Sequence, residues 1–111
     1  MKSIAIATLL ATALAATAGV AQAADVEAAR KLVESNCASC HGKDGKTPTD
    51  PSYPIIAGQH SDYLYKSLLD YQTGARKNAI MGAMAKPLSK ADLQNLSAYL
   101  ATLPGPLTTR K

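Results

Sequence analysis

The 111-residue sequence contains no phenylalanine and no tryptophan, and all five of its aromatic residues are tyrosine. Such a composition fits a core organised around something other than protein aromatics. Only two cysteines and two histidines occur, so no second Cys or His pair exists to complete a tetrahedral zinc site. A concentrated basic stripe and an aromatic ladder are both missing, which speaks against nucleic-acid binding despite a formal net charge of +4. No alternating apolar and polar run marks a strand, and no repeat or low-complexity segment follows residue 23. Beyond the N-terminal stretch, no segment is apolar enough to span a bilayer.

What the chain does contain is Cys37-Ala38-Ser39-Cys40-His41, both cysteines beside one of the two histidines. This is the C-x-x-C-H spacing of covalent haem attachment. One helical turn sets two thiols under the two haem vinyl groups and swings the adjacent imidazole under the metal. A thioredoxin-like pair would need a preceding strand in a βαβ pattern, which is not present. Zinc would require neighbouring Cys40 and His41 to share one ion, and would have to recruit the distant His60. Two buried free thiols would be unusual in an oxidising compartment.

That compartment is indicated by residues 1–23, which read as a cleaved secretory signal. Lys2 supplies the positive start, Ile4 to Val20 carries no charge, and Ala21-Gln22-Ala23 is a small-x-small cleavage site, with Ala24 the near alternative. The apolar stretch is mostly alanine and threonine, too weakly hydrophobic for a membrane anchor. Residues 24–111 then form one small domain, of a size that often needs a metal or another staple. A buried haem would supply the missing apolar volume.

Three amphipathic helices are expected in that domain. The first spans about Asp25 to Asn36, with Asp25 as N-cap and Val26, Ala29, Leu32 and Val33 on one face, and delivers Cys37 at its end. Residues 42–51 form a polar loop. The second helix follows Ser61, turns Leu64, Leu68 and Tyr71 to one side, and ends at Gly74. In the third, Ser89 and Asp92 make a capping-box pair, Leu93, Leu96, Leu100 and Leu103 form the apolar face, and Pro104-Gly105-Pro106 stops it. The tail from Leu107 to Lys111 is expected to fray.

An iron held by His41 has a second axial position, and its occupant selects electron transfer or ligand chemistry. Met81, Met84 and His60 are the candidates. Asn78 to Met84 is expected to be a loop that presents a side chain across the haem face. A methionine thioether is a soft donor that favours reduced iron, although a methionine can equally serve to fill a core.

Three stretches in order carry a resemblance: Cys37 to Gly42, Tyr53-Pro54-Ile55-Ile56-Ala57-Gly58-Gln59, and Met81-Gly82-Ala83-Met84 followed by Pro87-Leu88-Ser89. With the C-terminal helix and its Tyr99, they make the chain similar to class I c-type cytochromes. The likeness is to the small bacterial periplasmic branch with the c-four and c-five types, and it covers nearly all of 24–103. The resemblance implies an all-α class I cytochrome c fold, with about three main helices wrapped around one covalently bound haem c. It implies that Cys37 and Cys40 carry the thioethers, that His41 is the proximal iron ligand, and that Met81 is the other, with Met84 as its apolar neighbour. It further implies that the Pro54 carbonyl accepts the second N–H of His41, and Ile56 is expected to pack on the haem. Many relatives place a glycine and an aromatic residue where the terminal helices cross; this chain has Ala29 and Val33 there.

The expected function is that of a soluble, monomeric periplasmic single-electron carrier with His/Met ligation. It is not an enzyme, and its partners are redox proteins, donor and acceptor, of a respiratory chain. No nucleic acid binds it, and the mature chain does not insert in a membrane. Lys43, Lys46, Lys77 and Lys86 flank the haem-contacting loops and could steer an acidic partner. The alternatives are a haem subunit docked on a membrane oxidase or dehydrogenase, and a gas- or peroxide-reactive haem protein with an open sixth position.

Overall fold

Charge and capping start the first helix. The structure, a computed structural model, describes residues 12–15 and 23–108; most of the signal expected over 1–23, and the tail after Thr108, lie outside them. Helix α1 (Val26–Leu32) begins where the Asp25 carboxylate accepts the Ala28 N–H at 2.9 Å. Glu27 stands in its first turn and Arg30 and Lys31 in its last, each complementing the helix dipole. Arg30 pairs with both Glu27 and Glu34 on the solvent face, a modest gain at exposed positions. The Asp25 N–H also binds Asn95 Oδ1 at 3.0 Å, which ties the start of α1 to the last helix.

The helix does not finish near Asn36 as expected. A π-helical stretch, Val33–Cys37, runs directly into α2 (Ala38–His41), and the Ala38 N–H reaches back five residues to Val33 O. A π turn absorbs an extra residue and shifts the helix face by about 100°. Ala29 and Val33 form the buried face, while Val26 is 52% exposed.

Helix α3 (Ser61–Thr73) ends at Gly74, whose φ of +83° is the left-handed cap that glycine adopts without strain. Helix α4 (Ala79–Ala85) occupies the stretch expected to be a loop. The signal for this helix is Asn78, whose side chain accepts the N–H groups of Ile80 and Met81, both at 3.0 Å. Helix α5 (Lys90–Thr102) carries the anticipated capping box, Asp92 N–H to Ser89 Oγ at 3.0 Å and Ser89 N–H to Asp92 Oδ2 at 2.9 Å. It stops at Leu103, extended as the residue before a proline should be. Thr108 N–H closes a turn on Gly105 O at 3.1 Å, and the rest of the tail expected to fray lies outside the described residues.

The described residues contain helices and no strand. Helices α1 and α3 both pack on α5, and α4 packs on α3. Ala29, Val33, Leu64, Leu96, Leu100 and Ala101 form the core, with Leu32, Ile56, Leu68, Leu88, Tyr99 and Leu103 against it. Ala29, wholly buried, is a small residue on the face where α1 packs against α5. The aliphatic core has no room for a polar group without a partner; buried Ser97 gives its hydroxyl proton to Leu93 O at 2.7 Å.

Candidate functional site

Helix α2 carries Cys40 and His41 and directly follows Cys37, so all three motif side chains leave one helical turn. Gly42 then breaks the helix. Its φ is +81°, and a β-carbon there would lie 2.4 Å from the carbonyl oxygen of Thr47, so the turn admits only glycine. Asp44 closes the loop by accepting the N–H groups of Lys46 and Thr47 and the Thr47 hydroxyl. The Lys46 and Thr47 bonds hold its carboxyl below the usual carboxylate range. Thr49 covers the exposed end of α2: its N–H binds Cys40 O at 3.0 Å and its hydroxyl binds Ser39 O at 3.0 Å.

The same loop brings Pro54 to the motif. Ile56 and Ala57 both donate to Gly45 O, at 2.8 and 3.0 Å, and Gly58 N–H binds Leu100 O at 2.9 Å, so the segment is pinned between the motif and α5. His41 Nδ1 then stands 2.8 Å from Pro54 O. A carbonyl only accepts, so this contact requires the proton on Nδ1 and leaves the Nε2 lone pair available to a metal. The ring is buried, 7% exposed, and tilted against Tyr53 with 6.5 Å between ring centroids.

The remaining residues named from the sequence fall into two groups. Met81 and Met84, one turn apart on α4, share an apolar cleft with Cys37, Leu32, Leu68 and Leu88. His41 does not line that cleft, and Ile56 and Cys40 are half-buried outside it. Burial raises the Cys37 thiol above its ordinary value. His60 sits at the entry to α3, where its carbonyl accepts Leu64 N–H at 3.0 Å. Lys43, Lys46, Lys77 and Lys86 are all exposed.

A covalently held haem fits this donor set. The two thiols needed for thioethers are in hand, an imidazole is tautomerically set to ligate, and soft thioethers face the same cleft as Cys37. Met84 is 45% exposed on that apolar wall, surface that a flat apolar group would cover. Among the described residues no cluster of three His, Cys, Asp or Glu side chains could hold a bare metal ion instead. Two residues that hold the site together were missed from sequence: Asn78, legible as a cap before an apolar run, and Gln72, whose amide donates to Ala85 O and Leu88 O across 13 and 16 residues. Nothing local marks the second.

Comparison with known proteins agrees with that fit. Residues 26–104 match the family described as Cytochrome c. A relative named cytochrome c4, from Thiocapsa roseopersicina, is 37% identical over 87 residues, covering 78% of this chain and 44% of the relative. Cytochrome c-553 of Helicobacter pylori is 35% identical over 95 residues, covering 86% of this chain and 95% of its own. The chain thus spans under half of the first and nearly all of the second. Among solved structures, reduced recombinant cytochrome c4 from Pseudomonas stutzeri superposes with a TM-score of 0.67 at 37% identity, over 75% of this chain and 47% of that one.

Proposed function

The chain belongs to the cytochrome c family and so carries covalently bound haem c, and on that premise we propose that it is a soluble periplasmic carrier of single electrons between redox proteins. In this reading residues 1–23 are a cleaved signal and residues 24–111 the mature domain. Cys37 and Cys40 would hold the haem, His41 and Met81 would ligate its iron, and Met84 and Ile56 would pack beside it. When bound, haem c supplies an iron that accepts and releases one electron.

The chain's own residues do the rest. Pro54 O takes the Nδ1–H of His41 at 2.8 Å, orients the ring and raises the basicity of Nε2; this observation carries the proposal. Met81, less exposed than Met84 and with its N–H bound to the Asn78 cap, offers a thioether at a defined place on α4. That soft donor favours the reduced state and raises the potential. Ligands retained in both oxidation states leave no site for a substrate. The exposed lysines Lys43, Lys46, Lys77 and Lys86 would speed association with an acidic partner at low salt.

The test is the optical spectrum of the purified protein, oxidised and then reduced, with the mass of the mature chain. The expected result is a low-spin c-type spectrum, the weak far-red band of methionine-ligated ferric haem, and a chain starting near Ala24. A high-spin ferric spectrum would remove Met81 from the ligand set. No haem after expression with a haem-attachment system would overturn the reading.

A further inference from the structure

On the reading that Met81 binds the iron, we propose that Gln72 is a positioning residue whose side-chain amide clamps α4 against α3 and thereby holds Met81 in place. Helix α4 has seven residues, one of them a glycine. Helices shorter than about 12 residues are marginal by themselves, so its position comes from what grips its ends. At the N-terminal end Asn78 accepts two N–H groups, the second from Met81.

At the other end the grip is Gln72, on the last turn of α3. Its Nε2 lies 3.0 Å from Ala85 O and 2.6 Å from Leu88 O. A primary amide nitrogen has two protons, so it can serve both carbonyls. Ala85 is the last residue of α4 and wholly buried. Its carbonyl also accepts Leu88 N–H at 3.1 Å, which closes the turn between α4 and α5. Leu88 stands just before the α5 cap, so the helix ladder offers its carbonyl no donor. Gln72 thus satisfies an acceptor that would otherwise be stranded on half-buried backbone, and fixes both ends of the α4–α5 turn to one point on α3. Because α3 is thirteen residues long and packed on α5, that point is firm. Met81 and Met84 are carried between the two clamps on the wall that also holds Cys37.

Losing two neutral hydrogen bonds of ordinary net strength should loosen a methionine ligand by about tenfold. The experiment titrates imidazole, which competes for the sixth position, into the ferric holoprotein and its variants. Gln72→Met keeps the side-chain volume and removes the donors; Gln72→Glu keeps the shape and turns a carboxylate on two carbonyls. Both should bind imidazole about tenfold more tightly and show a weaker far-red band. Gln72→Lys restores protons for the two carbonyls and should bring the imidazole affinity back.

Unchanged imidazole affinity in Gln72→Met and Gln72→Glu would overturn the proposal, even with lower thermal stability, because a merely structural residue would behave in that way. If Gln72→Met yields no folded protein, Gln72→Asn, one methylene short of both carbonyls, decides by the same titration. Met81→Ala separates the two readings. If it abolishes the far-red band while the Gln72 variants bind imidazole as the parent does, the clamp alone is wrong. If the band survives Met81→Ala, the ligand assignment fails and the clamp has no ligand to position.

Discussion

His41 Nδ1 and Pro54 O are joined by a 2.8 Å hydrogen bond across 13 residues. The bond links a side chain on the first helical body to a backbone group in an irregular loop, and it decides which ring nitrogen is left for a metal. The proline ring is not the acceptor; its role is to restrict the backbone that presents the acceptor. Replacing Pro54 with alanine should therefore keep the bond while freeing the unfolded chain. Denaturant unfolding of the holoprotein should show a loss of about 0.5–1 kcal/mol. The His41 Nδ1 proton should stay protected from exchange in both proteins.

Gly42→Ala should be far more damaging. The left-handed φ alone costs an alanine about 1–3 kcal/mol, and the new β-carbon would fall 2.4 Å from Thr47 O. The backbone must move, and with it the loop that brings Pro54 to His41. Denaturant unfolding should show a destabilisation of at least that size, together with a lower yield of haem-loaded protein; wild-type stability would contradict the geometry of this turn.

Asn78→Ala removes the acceptor for the Ile80 and Met81 N–H groups. The expected loss is about 1 kcal/mol, and it should be local. Hydrogen exchange should speed up across residues 79–85 and remain unchanged in α5. Asn78→Asp, which keeps an acceptor at the helix start, should recover most of the protection.

The Asp44 carboxyl is held below its ordinary value by the Lys46 N–H and the Thr47 hydroxyl and N–H. Its contribution to stability is present above the unfolded carboxyl range, near pH 4, and is lost as the pH falls through the lower folded value. The urea midpoint of wild type should drop through that acid window. Asp44→Asn, which has no proton to gain, should follow a flatter line below pH 4 and a lower one at neutral pH; parallel lines would show that the carboxylate is not coupled to folding.

Much of the fold was legible because its signals are local. Asp25 and the Ser89–Asp92 pair cap helices through bonds three residues long, and Gly74 ends α3 through its own backbone. Two elements differ from what the sequence predicts. The first helix, expected to end near Asn36, is carried on to His41 by a π turn that re-phases its face. Residues 78–84, expected to be a loop, form α4 because the local Asn78 cap starts the helix and Gln72, from α3, holds its other end.

From the sequence alone came the C-x-x-C-H chemistry, the all-α class and the three capped helices, since each depends on residues within a few positions of one another. Tertiary structure decided what separated residues do together. It set the tautomer of His41 through Pro54, seated Met81 and Met84 on one wall with Cys37, and placed Gln72 between two carbonyls. Such pairings are chosen by how whole helices pack on a shared core, and no local spacing encodes them.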